Sequence, residues 1–199
     1  MATEGVDKSR RRFLIAATSV VGGAGAVAVA VPFIKTMNPS ARAQAAGAPV
    51  EVDISKIEPG ALIRVEWRGK PVWVLNRTKE MLDLLPENDP RLRDPNSDVA
   101  SQQPEYAKNE YRSIKAEYLV LVGICTHLGC SPTFRPEVAP ADLGPDWKGG
   151  FFCPCHGSRF DLAGRVFQNV PAAKNLVVPP YMYLSDTRII VGKDEKGAA

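Results

Sequence analysis

Between Phe13 and Ile34 the chain runs for 22 residues without a charge, about 33 Å at the helical rise and enough to cross a hydrocarbon core of roughly 30 Å. This run predicts one membrane-spanning helix. It is longer than the apolar region of a signal peptide, typically about 7 to 15 residues. It therefore reads as a lasting anchor, against the competing view of cleavage at the small-x-small run Ala41-Arg42-Ala43. Gly22, Gly23 and Gly25 leave a surface against which neighbouring membrane helices pack closely. From Asn38 to Pro49 no large apolar side chain occurs, so residues 35–49 are expected to act as a flexible hinge.

Past residue 50 the pattern changes to short apolar runs punctuated by turn residues. Val50 to Asp53, Ala61 to Trp67 and Pro71 to Leu75 read as strands, the last two joined by the turn Arg68-Gly69-Lys70. Thr78 to Leu85 predicts a short helix with Thr78 as its cap. Glu87 to Glu110 is polar and carries Pro90, Pro95 and Pro104, which predicts a surface loop. Leu119 to Ile124 and Gly150 to Phe152 read as strands, while Ser131 to Gly149, with Pro132, Pro136, Pro140 and Pro145, predicts an ordered but irregular excursion. A turn is expected at Asp161 to Gly164. Leu176 to Val178, Tyr181 to Leu184 and Thr187 to Val191 complete the predicted sheet.

Charge adds the topology. Ser9-Arg10-Arg11-Arg12-Phe13-Leu14 has the form of a twin-arginine export signal. Lys8 and Arg10 to Arg12 outnumber Lys35 and Arg42 across the apolar run, so residues 1–12 should stay cytoplasmic, with residues 50–199 on the far side of a bacterial inner membrane. About 150 residues beyond the anchor suffice for one domain with one core. The net charge is only +3 and no basic stripe with interleaved aromatics occurs, which argues against nucleic acid as a partner.

All four cysteines and both histidines of the 199-residue chain fall in two short runs, Cys125-Thr126-His127-Leu128-Gly129-Cys130 and Cys153-Pro154-Cys155-His156-Gly157-Ser158. Thiolate and neutral imidazole are ligands for iron and zinc, and the glycines let backbone approach a cofactor closely. A structural zinc site draws on Cys-x2-4-Cys and His-x3-5-His pairs, whereas each run here mixes Cys with His. A two-iron cluster in which two histidines replace two cysteines at one iron fits that supply better. A zinc knuckle and a pair of unrelated disulfides are the rival readings.

These two runs, 22 residues apart, closely resemble the Rieske proteins of the respiratory cytochrome bc1 complex. The resemblance implies an all-β, Rieske-type antiparallel sheet domain with a small cluster-binding subdomain at about residues 120–175, after one transmembrane helix. It implies one 2Fe-2S cluster, with Cys125 and Cys153 on one iron, His127 and His156 on the other, and a Cys130–Cys155 disulfide clamping the loops. Such a disulfide persists in an oxidising compartment, here the periplasm. An oxygenase component or soluble ferredoxin would lack both the extra cysteine pair and the anchor. An arsenite-oxidase-type small subunit shares the export signal, but the run Phe151 to His156 and the anchor favour the bc1 subunit.

The function implied is one-electron transfer from ubiquinol, met by His156 at the cytochrome b subunit, to cytochrome c1, within a dimeric complex in membrane lipid. Imidazole ligation puts such centres at about −150 to +300 mV against about −400 mV for all-cysteine plant-type clusters. Oxidation adds positive charge beside the imidazoles, favouring release of a proton with the electron. Leu128 and Gly129 are expected to line and shield the cluster, and Ser158 to donate to a bridging sulfide. Pro171 should open a loop over the cluster, with Ala173 where a second proline is common in the family. Phe160 stands where many members carry a tyrosine that donates to a ligand cysteine, so Phe160→Tyr is expected to raise the midpoint potential.

Overall fold

The computed structural model describes residues 7–198, so residues 1–6 of the expected cytoplasmic segment lie outside the described residues. Two compact units divide at Ala45 and Ala46.

The first unit is dominated by helix α1, Lys8–Thr36. It starts ahead of the apolar run because Asp7 caps it, its carboxylate accepting from the backbone N–H of Ser9 at 2.9 Å and of Arg10 at 3.2 Å. The arginines of the export motif thus form its first turns, and Lys35 sits in its last turn, where a cation suits the helix dipole. None of its residues is buried, and among the described residues it is the one helix long and apolar enough to cross a membrane. Within the expected hinge the chain forms a further short helix, α2 (Ala41–Ala46). Alanine is the strongest helix former, and the Ser40 hydroxyl accepts from the Ala43 N–H at 3.2 Å.

The second unit is built from antiparallel sheets. Strands β1 (Val50–Asp53), β9 (Arg188–Val191) and β8 (Tyr181–Ser185) form one sheet in the order β1-β9-β8. Strands β2 (Leu62–Trp67), β3 (Lys70–Asn76) and β4 (Tyr118–Val122) form a second in sequential order. The β2–β3 turn is tighter than predicted: Trp67 pairs with Lys70, leaving only Arg68 (φ 52°) and Gly69 (φ 68°) between the strands, a two-residue turn with both φ positive. Central β3 is buried from Val72 to Leu75, as its run of apolar residues requires. Two short helices follow it, α3 (Lys79–Asp83), capped by Thr78, and α4 (Leu85–Asn88).

A third sheet, β5 (Thr133–Val138), β6 (Lys148–Phe152) and β7 (Arg159–Phe160), carries the second cysteine run. Strand β5 lies where an irregular excursion was expected. Its Pro136 is tolerated because it falls at a register shift between Arg135 and Val138, where no ladder donor is needed. Residues 193–198 add the two-stranded ribbon β10 (Lys193–Asp194) and β11 (Gly197–Ala198).

Two other expectations need correction. The segment 87–110 is no loose surface loop, since Asn88, Leu92, Asp94, Ser97, Gln102, Gln103 and Ala107 are buried in it; the Asp94 carboxylate accepts from the Asp98 and Val99 N–H groups, and the Gln103 side chain from Arg112. Residues 176–178 form no strand, because isolated backbone bonds tie them to three different segments, from the Leu176 N–H to the Gly164 carbonyl, from the Val122 N–H to the Val177 carbonyl and from the Val178 N–H to the Gln102 carbonyl, each at 2.8 Å. One apolar core joins the sheets to the cysteine loops, running from Val52 and Ile189 through Trp73 and Leu121 to Phe151, Cys125 and Cys153. Trp73 stacks on Phe151 with ring centroids 5.0 Å apart.

Candidate metal centre

Both cysteine runs are loops closed by the same pair of backbone bonds. In the first, the Cys125 N–H donates to the Cys130 carbonyl at 2.7 Å and the Gly129 N–H to the Cys125 carbonyl at 3.1 Å. In the second, the Cys153 N–H donates to Ser158 at 2.8 Å and the Gly157 N–H to Cys153 at 2.9 Å. Each loop turns on a glycine with positive φ, 88° at Gly129 and 76° at Gly157, a conformation that L side chains avoid. Strand β4 feeds the first loop through Gly123 and Ile124, and the β6–β7 hairpin holds the second.

Cys130 and Cys155 form the disulfide across the loops, with Cα atoms 6.7 Å apart. Cys125 and Cys153 remain free thiols and are buried. The sulfurs of Cys130, Cys153 and Cys155 lie within 4.8 Å of one another, yet two of these are consumed by the disulfide, so the thiol donors left for a metal are Cys125 and Cys153. Burial pushes the Cys125 thiol above its ordinary range; the His127 backbone N–H bonds to the sulfur and pulls it down, the Cys153 thiol pushes it up, and the Ser158 hydroxyl pulls it down. The two thiols are therefore neighbours, with Ser158 beside them.

The histidines sit at the outer edge. His127 and His156 approach edge to face with ring centroids 4.8 Å apart; His156 is exposed and His127 half-buried. Leu128 stands out beside them, 72% exposed. A buried thiol pair with an outer imidazole pair on clamped loops is the donor set that a two-iron cluster of mixed ligation requires, so the residues present fit such a group.

A third segment, after Pro171, ties both loops together. The Thr126 hydroxyl donates to the Lys174 carbonyl at 2.6 Å, and the buried Ser158 hydroxyl accepts from the Ala172 N–H at 3.1 Å. Pro171 itself is exposed. Asn175, which sequence reasoning passed over, accepts from the Val166 N–H at 2.9 Å and donates to the Asp94 carbonyl at 3.0 Å, anchoring this segment to the 87–110 region. Thr126 lies inside the first cysteine run, so its hydroxyl is visible in the sequence. Ala172 acts through its backbone, which leaves no mark in the sequence. Phe160 is fully buried in β7.

Residues 96–181 match the model of the Rieske [2Fe-2S] domain, and residues 1–40 match the model described as "Ubiquitinol-cytochrome C reductase Fe-S subunit TAT signal". The chain is 68% identical over 198 residues to the ubiquinol-cytochrome c reductase iron-sulfur subunit of Allochromatium vinosum, covering 100% of this chain and 95% of that one. It is 44% identical over 192 residues to the subunit of the same name from Blastochloris viridis, covering 96% and 97%. With a full-length relative at this identity, a matched export signal and a [2Fe-2S] domain whose two loops bring thiols and imidazoles together, the chain belongs to the Rieske iron-sulfur subunits of ubiquinol-cytochrome c reductase.

Proposed function

We propose that this chain takes single electrons from ubiquinol at a cytochrome b subunit and passes them to cytochrome c1, releasing a proton with each. Cys125 and Cys153 would hold one iron and His127 and His156 the other. The observation that carries this reading is the division of the donors, buried thiols inward and an exposed imidazole outward. When bound, a 2Fe-2S cluster with two imidazole ligands supplies a one-electron couple within reach of a quinol.

The chain's own residues do the rest. His156 is the exposed imidazole, so its outer ring nitrogen is the atom that meets a quinol hydroxyl and takes its proton. Leu128 gives the tip an apolar surface beside that histidine. The core around Cys125 and Cys153 keeps water from the sulfurs, Ser158 stands ready to donate to sulfur, and Gly129 and Gly157 bring backbone close. Phe160 supplies no donor where a tyrosine would, which lowers the potential. The disulfide keeps the loops at fixed separation.

Helix α1 anchors the chain in the inner membrane as a single pass, N-terminus cytoplasmic and residues 50–199 periplasmic, with residues 35–49 as the connection on which the head moves. The complex is dimeric. This arrangement is supported by the charge bias around the apolar run and by a disulfide that calls for an oxidising compartment.

Electron paramagnetic resonance of the dithionite-reduced protein in membranes should show a Rieske-type signal, absent in His127→Ala and His156→Ala. An intact chromophore with undiminished quinol turnover in either variant would overturn the assignment. Zinc without acid-labile sulfide in the isolated protein would end the redox reading altogether.

A further inference from the structure

Three arginines converge on one turn, Asp161 to Arg165, which follows directly on β7 and the second loop. All are buried: Arg77 at 2%, Arg112 at 0% and Arg165 at 2% exposure. Arg77, just past β3, donates from Nη1 to the Leu162 carbonyl at 3.1 Å and otherwise to the Ala116 carbonyl and the Ser113 hydroxyl. Arg112 donates from Nη1 to the carbonyls of Ala163 at 3.1 Å and Gly164 at 3.3 Å, and from Nη2 to Leu176, Gln102 and the Gln103 side chain. Arg165 alone has ion pairs, with Asp161 at 2.8 Å and Asp89 at 2.9 Å.

Among the described residues neither Arg77 nor Arg112 has a carboxylate within ion-pair distance, and the Arg112 Nε has no acceptor at all. The buried carboxylates are Asp161 and Asp94, two against three buried guanidiniums; the third acid, Asp89 on Arg165, is half-exposed, so solvent screens its charge. A guanidinium taken from water and given only neutral acceptors is costly. Burial lowers Arg77 and Arg112 to about 10, which still leaves both charged at neutral pH.

We propose that Arg112 and Arg77 are positioning residues for the second loop and that their excess buried positive charge favours the reduced form of the metal centre, raising its midpoint potential. Reduction adds one negative charge to the centre, so a fixed cation in a medium that screens poorly stabilises the product. The carbonyls of Leu162, Ala163 and Gly164 all point at these guanidiniums, so the same bonds that fix the turn bring the charge beside the loop it follows. The proposal rests on the reading that the two loops hold a redox cluster.

The test is the midpoint potential of the full chain in membranes, followed by electron paramagnetic resonance, in Arg112→Gln, Arg112→Lys and Asp94→Asn. Arg112→Gln removes a cation and should lower the midpoint; Asp94→Asn removes an anion and should raise it; Arg112→Lys keeps the charge and should hold it near the parent. Each charge change should alter the ratio of reduced to oxidised centre at a fixed ambient potential by about threefold or more, the effect of a unit charge within about 25 Å at an effective dielectric of about 20. If Arg112→Gln does not accumulate, Asp94→Asn, which keeps an acceptor for the Asp98 N–H, decides alone. An unchanged midpoint in Asp94→Asn, or a fall in both neutral variants, overturns the proposal. A parent chain with no Rieske signal would instead sink the reading beneath it.

Discussion

The two ligand loops share a backbone and differ in what they hang on it. Both are closed by a bond from the first cysteine N–H to the carbonyl five residues on, and by a bond from a positive-φ glycine N–H back to that cysteine carbonyl. On this common frame the first loop puts its histidine at the third position and its disulfide cysteine at the sixth. The second puts the disulfide cysteine at the third position, its histidine at the fourth, and a buried serine at the sixth. One histidine ends half-buried and the other exposed. A repeated backbone thus yields an asymmetric tip, with the exposed imidazole on one loop only.

The strongest way to break the comparison is to cut the one covalent link between the loops. Cys130→Ser and Cys155→Ser each remove the same bridge, so both should destabilise the chain by about 3 kcal/mol, as expected for a disulfide closing a loop of this size. Thermal unfolding of the full chain in detergent checks this, and unequal losses would show that the loops do not share the load. Next comes the residue that distinguishes the sixth positions. Ser158→Ala leaves the buried Ala172 N–H without its acceptor and should cost about 1 to 2 kcal/mol, with a lower midpoint potential in a redox titration.

Smaller effects test the shared frame itself. Gly129→Ala and Gly157→Ala meet no neighbouring atom, so the loss should come from positive φ alone, about 1 kcal/mol in each loop. Equal losses would support one frame used twice. The smallest change is expected from Thr126→Val, which removes the bond to the Lys174 carbonyl at an exposed position and should cost about 0.5 to 1 kcal/mol. Faster amide exchange confined to residues 171–175 would mark it as local.

Much of the head was legible because its strands are short apolar runs between turn residues. The Thr78 cap and the strand pairs around Gly69 follow from local chemistry. β5 was not legible, because Pro136 argues against a strand until the register shift that excuses it is known. The region from Asn88 to Ala107 looked like solvent-facing polar chain. Its Gln103 side chain accepts from Arg112 and its Asp94 carbonyl from Asn175, partners that arrive from positions local sequence does not connect.

Sequence by itself determined the chemistry of this protein. Six rare donor side chains confined to two runs, behind an export motif and a long uncharged stretch, left few alternatives, because ligand type and hydropathy are properties of residues and survive without coordinates. Tertiary structure decided the rest: which cysteines pair and which stay free, which imidazole meets solvent, and where three guanidiniums converge. Those outcomes depend on contacts between distant segments, whose energy is set by burial and distance rather than by any residue's own character.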